Sequence, residues 1–382
     1  MLTNFSVKNY KCLADVTLPL TPIHVLIGQN DTGKTSLLEA IRAGCRIMRL
    51  AVHEGGFVDD CFPGEWIARE LVWHASKYPE IKLSAVFDND AKERTGFSRS
   101  SIRIGFDGLK GSHVQSGESD DLERSARLLD YSVDDNDVVD PWYGSTVEGI
   151  AKLGPLFIYR FRPNMMARQC ALSSSTSFSI HPDGFGLPSL LDEIRDFDLD
   201  RFHAIQTAFT GYFPTYVKIR LANSKAWSRT YEAGHPKDEF GLTGKQIWLT
   251  TVNGEIRLQQ ASDGVILLLG ILALTNTPHS PSLILIEEPE NGIHPHRLIE
   301  IAKLLRLFVE REKNAPQIIM TTHSPYLLSQ FKPEEVTLMR RQPDGSAKAF
   351  PLRDAKHLRE RMGDDFYLGE MWYNLDEEDL LK

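Results

Sequence analysis

Residues 23–36 read Ile-His-Val-Leu-Ile-Gly-Gln-Asn-Asp-Thr-Gly-Lys-Thr-Ser, and this stretch decides the fold. The first five residues form a short apolar run rich in β-branched side chains, which predicts a buried strand. The next eight follow the pattern GxxxxGK[ST], and residues 36–42 continue with helical spacing. A strand, a glycine-containing loop and a helix in this order predict a phosphate-binding loop in an α/β fold.

The residue types of this loop suit a phosphate. Gly28 and Gly33 let backbone N–H groups turn inward, and the helix N-terminus adds partial positive charge at the same point. We expect Lys34 to bridge the β- and γ-phosphates and Thr35 to supply a hydroxyl ligand to Mg²⁺. The predicted nucleotide-binding residues are Gly28, Asn30, Asp31, Thr32, Gly33, Lys34, Thr35 and Ser36.

A second motif lies about 250 residues further along the chain. Ser282–Ile286 is a continuous apolar run that predicts a strand, and it is followed directly by Glu287 and Glu288. Two adjacent carboxylates at the end of a buried strand suit a Walker B element, in which Glu287 holds Mg²⁺ and Glu288 deprotonates the attacking water. The alternative is a solvated acidic loop after a core strand.

Two weaker signals accompany these motifs. A third apolar run from Gln317 predicts a strand that ends near His323, which we expect to contact the γ-phosphate rather than to be structural. Ser262, Asp263 and Gly264 precede an apolar helix and form a second candidate anion site. That site is expected to act in trans, on the nucleotide of a partner protomer; an ordinary helix N-cap is the alternative.

Composition excludes several classes of protein. The chain has 382 residues, 42% hydrophobic and 25% charged, which are ordinary globular values. No apolar run approaches the roughly 18 residues of a membrane span, and the first 25 residues show no signal peptide, so we expect a cytoplasmic protein. The four cysteines lack metal-ligand spacing and are expected to be reduced thiols. The net charge of −9 argues against binding DNA by bulk charge.

The motifs GQNDTGKTS, QQASDG, LILIEEPENGIHP and IIMTTHSP, in that order, resemble a known family. They are similar to the ABC-class ATPase heads of SMC, RecF and OLD-like proteins, and in particular to the small stand-alone AAA family ATPases of bacterial anti-phage systems. The resemblance implies an ABC-type α/β head with a mostly parallel P-loop sheet, an antiparallel β-lobe and a helical insertion.

The same resemblance implies ATP and Mg²⁺ as ligands and a homodimer that sandwiches ATP. Each nucleotide would lie between the P-loop of one copy and Ser262–Gly264 of the other, and Glu290 and Asn291 would form the D-loop at the seam. The signature reads Ala-Ser-Asp-Gly rather than Leu-Ser-Gly-Gly, and the Q-loop glutamine stays unassigned.

We expect four regions: 1–50 with the P-loop, 51–240 with β-lobe strands and a mixed or helical insertion, 241–350 with the other ATPase motifs, and 351–382 as an acidic, aromatic docking segment. The local pattern predicts strands at Ile81–Phe87 and Ser101–Phe106, a hairpin of Gln246–Thr251 with Glu255–Leu258, an amphipathic helix at Leu190–Phe209, and a solvated loop or short helices at Gly111–Asp140.

Arg160, Arg162 and Arg168 form a basic cluster with three open interpretations. It can contact nucleic acid, contact the nucleotide or a neighbouring protomer, or form ion pairs within the chain. Trp142 and Tyr143 are expected to pack rather than to stack on bases. The segment after His323 is too short for the nuclease domain of OLD proteins, so no nuclease site is expected.

Two functional classes follow. The first is an ATP-dependent switch or scaffold that dimerises around ATP and controls a partner effector protein, in the setting of anti-phage defence. The second is a RecF-like repair ATPase that acts directly on DNA. Neither class implies contact with a membrane.

Overall fold

The structure is a computed structural model that describes residues 1–53, 61–62, 68–77, 80–88, 97–106, 126–135, 156–172, 178–232, 235–278, 281–310, 315–355 and 368–374. The strands are β1 Leu2–Tyr10, β2 Leu13–Pro19, β3 Ile23–Ile27, β4 Glu80–Asp88, β5 Phe97–Phe106, β6 Ala126–Asp135, β7 Ile158–Tyr159, β8 Cys170–Ala171, β9 Tyr216–Glu232, β10 His235–Thr251, β11 Gly254–Arg257, β12 Leu283–Glu287, β13 Gln317–Thr321, β14 Val336–Arg341 and β15 Ala347–Pro351. The helices are α1 Lys34–His53, α2 Ala68–Leu71, α3 Pro163–Met166, α4 Leu187–Phe197, α5 Leu199–Tyr212, α6 Asp263–Thr275, α7 Pro295–Val309, α8 Pro325–Leu328 and α9 Leu368–Asn374.

The chain divides into two compact units, and each is built from separate stretches of sequence. The first comprises Met1–Ile158, Pro281–Ile286 and Ala315–Lys382, and the second comprises Tyr159–Ser280 and Glu287–Asn314. Among the helices described, none is long and apolar enough to cross a membrane.

A six-stranded sheet in the order β15-β14-β3-β13-β12-β7 holds the P-loop strand. The strand β3 is buried along its whole length and pairs in parallel with β13 on one side and β14 on the other. This arrangement and the helices around it confirm the predicted α/β fold with a mostly parallel P-loop sheet. Buried parallel strands appear in a sequence as continuous apolar runs, and for that reason these strands could be predicted.

The antiparallel lobe of the first unit is the sheet β2-β1-β4-β5-β6. Its strands β4 and β5 confirm the predictions at Ile81–Phe87 and Ser101–Phe106. The prediction of a loop or short helices at Gly111–Asp140 is wrong for Ala126–Asp135, which pairs with β5 as β6. Its acid-rich sequence favours a loop locally, but the backbone ladder to β5 determines the strand. The remainder of that stretch, with Trp142 and Tyr143 beyond it, lies outside the described residues.

The helix α1 connects the two sheets of the first unit. It contacts β1, β4 and β5 of the antiparallel lobe and β13 of the parallel sheet. Its Gly44 lies so close to the lobe that an added Cβ would stand 3.2 Å from the ring of Phe5. The buried amide of Gln317 makes a further link, because its Nε2 donates to the Leu2 carbonyl (2.7 Å) and its Oε1 accepts from the Leu2 N–H (3.0 Å).

In the second unit, β9 and β10 are 17-residue strands that form one long antiparallel hairpin. The sequence predicted only its final part: the turn at Asn253 and Gly254 joins β10 to β11 as expected, but β10 begins at His235 rather than at Gln246. We call residues 216–251 the hairpin arm. The strand β8 also pairs with it, which completes the sheet β11-β10-β8-β9.

The predicted helix at Leu190–Phe209 is two helices, so the prediction of one element is wrong. Asp198 adopts an extended backbone (φ −149°, ψ 95°), which ends α4, and its carboxylate accepts the N–H of Arg201, which starts α5. Aspartate is a strong N-cap residue. The amphipathic spacing continues across the break, and for that reason periodicity alone did not reveal it.

At the other end of the chain, α9 packs against α8 in the first unit. Gly369 makes the contact so close that an added Cβ would lie 1.8 Å from the Pro325 carbonyl oxygen. Part of the segment predicted to dock therefore lies on its own head.

His24 makes the first unit sensitive to acid. The side chain is 1% exposed on β3, with Nδ1 3.1 Å from the Thr21 hydroxyl and Nε2 3.0 Å from the Thr337 hydroxyl. Burial lowers the pKa of His24 to about 3, with Glu335 opposing and Arg353 adding to the shift. The unfolded chain binds this proton near its ordinary pKa of about 6.5 and the folded chain does not, so stability falls as the pH drops below about 6.5.

We predict that this group lowers the free energy of unfolding by about 2 kcal/mol between pH 7 and pH 5. Urea unfolding at the two pH values measures it. His24→Gln should lack this loss, whereas the exposed His74→Gln should keep it. An equal loss in wild type and His24→Gln would show that other groups cause the acid sensitivity.

Candidate nucleotide-binding site

The P-loop occupies residues 28–33, between β3 and α1. Three of its residues have left-handed backbones: Gly28 (φ 141°), Asp31 (φ 63°) and Gly33 (φ 91°). An added Cβ would lie 2.3 Å from the Met339 carbonyl oxygen at Gly28 and 2.8 Å from the Cys12 sulfur at Gly33. Both glycines are therefore required by backbone conformation and by close approach.

Lys34 lies inside the loop. Its ammonium donates to the carbonyl oxygens of Gly28 (2.9 Å) and Gln29 (2.6 Å), and the residue is 6% exposed. Thr32 donates its hydroxyl to the same Gln29 carbonyl (2.8 Å). The loop thus holds a buried cation at the point where the α1 N-terminus begins, and that combination fits a phosphate group.

The remaining P-loop residues surround this cation. Asn30 and Asp31 are exposed at the tip, while Thr35 and Ser36 lie half-buried in the first turn of α1. The Arg341 guanidinium donates to the Asp31 carbonyl oxygen (3.1 Å) and lies 3.5 Å from its carboxylate. No sequence motif points to Arg341, because 310 positions separate the two residues and only the pairing of β14 with β3 brings them together.

His323 lies close to the P-loop along the sheet. Thr321 of β13 is in register with Leu26 of β3, so His323 and Gly28 each lie two residues beyond a paired position. After the histidine, the Ser324 hydroxyl accepts the Leu327 N–H (3.3 Å) and caps α8.

The acid pair lies at the end of β12. Glu287 is its last residue, and its carboxylate, with a side chain 12% exposed, accepts a hydrogen bond from Arg160 Nε. Glu288 has a left-handed backbone (φ 48°), which costs a non-glycine residue roughly 1–3 kcal/mol and is common at functional sites. The side-chain amide of Asn291 donates to the Glu288 carboxylate (2.8 Å) and fixes its direction.

The signature and the D-loop contact each other within one chain. An added Cβ at Gly292 would lie 3.1 Å from the Asp263 carboxylate, and Glu290 accepts the Ile293 N–H through its backbone carbonyl (3.0 Å). Ser262 has N-cap geometry before α6, yet its hydroxyl makes no capping hydrogen bond. An added Cβ at Gly264 meets nothing within 4 Å, so the signature faces open space.

The structure thus groups the predicted residues in two sets. The P-loop and His323 belong to the first unit, whereas Glu287, Glu288, the D-loop and the signature belong to the second. Among the described residues, no group of three or more His, Cys, Asp or Glu side chains forms a metal cage.

The structure shows the partners of two arginines of the basic cluster. Arg160 pairs with Glu287, and Arg168 pairs with Asp238 (2.7 Å), so two of the three arginines form ion pairs within the chain. Arg162 is exposed. Ion pairing within the chain is one of the interpretations open to the sequence, but a local pattern does not identify the partners, which lie 127 and 70 positions away.

Two family models match the chain. Residues 172–329 match the model described as "AAA domain, putative AbiEii toxin, Type IV TA system", and residues 1–45 match one described as "AAA ATPase domain". An OLD nuclease of Thermus scotoductus is 49% identical over 41 residues. That match spans 11% of this chain and 8% of the nuclease, so the chain covers only a small part of this relative.

Solved structures show the fold. An Smc head bound to the C-terminal winged-helix domain of ScpA aligns with a TM-score of 0.55 at 13% identity, covering 91% of this chain and 96% of that one. An Smc head with an extended coiled coil, bound to the C-terminal domain of ScpA derived from Pyrococcus furiosus, aligns with a TM-score of 0.50 at 12% identity, covering 94% and 99%.

The fold is therefore that of an SMC-type ATPase head. Both family matches and the OLD nuclease match are similarities to AAA-family ATPase domains, and together with the fold they confirm the resemblance drawn from the motifs.

The different environments of Gly28 and Gly264 allow a direct test of the P-loop geometry. We predict that Gly28→Ala lowers the free energy of unfolding by at least about 2 kcal/mol, because it combines a left-handed backbone with contact to the Met339 carbonyl. Gly264→Ala, in open space within the first turn of α6, should leave stability unchanged or raise it by up to about 1 kcal/mol. Urea unfolding measures the free energy of unfolding of both variants. Equal losses of this free energy in Gly28→Ala and Gly264→Ala would contradict the P-loop geometry.

Proposed function

We propose that this protein binds and hydrolyses ATP and acts as a molecular switch that dimerises around the nucleotide and controls a partner effector protein. The observation that carries the proposal is the P-loop, where two required left-handed glycines surround the buried ammonium of Lys34 at a helix N-terminus. This is a preformed anion site, and it fits the phosphates of a nucleotide.

In the proposed reaction, Lys34 neutralises charge on the β- and γ-phosphates, and Thr35 and Glu287 hold Mg²⁺. When bound, Mg²⁺ supplies neutralisation of the charge that develops on the phosphate oxygens. Glu288 accepts a proton from the attacking water while the water oxygen bonds to the γ-phosphorus. The bond from that phosphorus to the β–γ bridging oxygen breaks, and ADP leaves with the electron pair.

Asn291 and His323 position these groups in the proposal. The amide of Asn291 already donates to the Glu288 carboxylate, which orients it as a base. His323 contacts the γ-phosphate from the end of β13, which pairs with the P-loop strand.

The dimer is proposed from the signature. Ser262, Asp263 and Gly264 precede α6, whose residues 265–275 are all buried, so a rigid helix presents an exposed N-terminus. In a head-to-tail pair this N-terminus would cap the γ-phosphate bound by the other copy, with Glu290 and Asn291 at the seam. Ser262 contributes its hydroxyl to that phosphate rather than to its own helix.

Partner control and a cytoplasmic defence role belong to the same proposal. The matched family description names a toxin of a toxin–antitoxin system, and both Smc heads carry a bound ScpA domain. These descriptions support a head that acts together with another protein. The alternative of a RecF-like ATPase acting on DNA has no better support, and the two internally paired arginines leave less free positive charge for nucleic acid.

The experiment measures ATP binding and steady-state ATP hydrolysis with Mg²⁺. We predict that Lys34→Ala weakens ATP binding at least about tenfold and abolishes hydrolysis, because the buried cation is lost. Glu288→Gln should keep binding and lower the hydrolysis rate about a hundredfold or more, since the general base is removed.

The matched control is Lys8→Ala, which removes a lysine from an exposed pair with Asp15 in the same unit. It should change neither quantity more than about twofold. Wild-type hydrolysis in Glu288→Gln would overturn the assignment of the base, and unchanged ATP binding in Lys34→Ala would overturn the site.

A further inference from the structure

Arg160 forms an ion pair with Glu287, the residue proposed above to hold Mg²⁺. It comes directly after β7, which lies next to β12 in the sheet. Its Nε donates to Glu287 Oε2, and the arginine side chain is 56% exposed whereas that of the glutamate is 12% exposed. A guanidinium reached by solvent therefore covers a carboxylate that is nearly buried.

This pair competes with a cation. A guanidinium keeps its charge at any physiological pH, and it repels a divalent ion that approaches the same carboxylate. Because the arginine side chain is 56% exposed, water can solvate its guanidinium when a divalent cation takes its place on the carboxylate. Arg160 is thus able to leave Glu287 reversibly.

The backbone of Arg160 is tied to the segment that carries Asp183. The Arg160 N–H donates to the Pro182 carbonyl (2.8 Å) and the Arg162 N–H to the Asp183 carbonyl (3.0 Å). The Asp183 carboxylate accepts two hydrogen bonds from Arg229 (2.9 and 2.8 Å), whose side chain is 4% exposed. Backbone hydrogen bonds therefore link the Arg160 stretch to the segment whose Asp183 pairs with the buried Arg229 of β9.

From there the contacts continue into the hairpin arm. Arg229 also donates to Asp238 of β10 (2.8 Å), and Arg168 donates to the same carboxylate (2.7 Å). The Arg168 guanidinium lies 3.7 Å from the ring centre of Trp227 in β9. Asp238 thus joins both strands of the arm to the stretch that begins at Arg160.

The same stretch contacts the signature helix. Met166 of α3 packs so closely on α6 that an added Cβ at Gly270 would lie 1.8 Å from its terminal methyl. The side-chain amide of Gln259, three residues before Ser262, donates to the Ala167 carbonyl (2.6 Å). Residues 160–170 therefore connect the Glu287 carboxylate with the arm and with the signature.

We propose that Arg160 is a positioning residue that holds Glu287 in the cation-free state, and that its release when a divalent cation binds shifts residues 160–170 and the hairpin arm. The proposal deepens the proposed function and rests on it, because it takes Glu287 as a cation ligand. It assigns to Arg160 a link between the Glu287 carboxylate and the hairpin arm.

The first experiment titrates the full chain with Mn²⁺, alone and with a non-hydrolysable ATP analogue, and follows free Mn²⁺ by its EPR signal. Arg160→Ala should lower the apparent Kd for Mn²⁺ about tenfold or more, because the competing charge is gone. Arg162→Ala, which removes an exposed arginine two residues away, should stay within about twofold of wild type. In a Glu287→Gln background, Arg160→Ala should have no further effect.

Equal Mn²⁺ affinity in Arg160→Ala and Arg162→Ala would show that Arg160 does not compete with the cation for Glu287. A wild-type chain that binds no ATP analogue would instead count against the proposed function, and the nucleotide-free titration would still decide whether Arg160 and Mn²⁺ compete.

The second experiment measures hydrogen exchange of the hairpin arm with and without Mn²⁺ and the analogue. Wild type and Arg162→Ala should change their exchange at β9 and β10, and Arg160→Ala should lose most of that change. If the hydrogen exchange of the hairpin arm changes equally in wild type and both variants, or in none of them, the proposed link between Arg160 and the arm is wrong.

Discussion

The close approach of the Gly28 backbone to the Met339 carbonyl is the constraint on which the P-loop depends. It fixes the loop against β14, and β14 and β13 hold β3 between them in a buried parallel sheet. With the loop fixed, the Lys34 ammonium has carbonyl partners within the curve and little exposure to solvent. The sheet thus holds the loop in one shape, and a preorganised loop of this kind is what an anion site requires.

Most of the first unit could be predicted from the sequence, because its decisive strands are buried apolar runs bounded by glycine, proline or acids. The runs at Ile23–Ile27 and Ser282–Ile286 needed no tertiary information beyond burial. The strand Ala126–Asp135 and the break at Asp198 were missed for opposite reasons. The acidic residues of Ala126–Asp135 favour a loop, but pairing with β5 makes this segment a strand. At Asp198 an N-cap separates two helices, while the amphipathic spacing continues across the break.

The motifs of the candidate site could be read locally, but the contacts between distant residues could not. Glycine, lysine and carboxylate types are dictated by phosphate and metal chemistry, so their positions could be read locally. The contacts of Glu287 with Arg160 and of Asp31 with Arg341 join residues 127 and 310 positions apart, and no local pattern encodes them. The long hairpin arm was also missed, since its polar and glycine-containing strands lack a continuous apolar face that marks a buried strand.

The central claim is that ATP joins two copies through an exposed signature. Light scattering of the Glu288→Gln protein, with and without ATP and Mg²⁺, tests it most directly. The solution mass should double only with nucleotide, and it should stay unchanged when Ser262 is also replaced by arginine. A mass indifferent to ATP, or a doubling that survives Ser262→Arg, would contradict it.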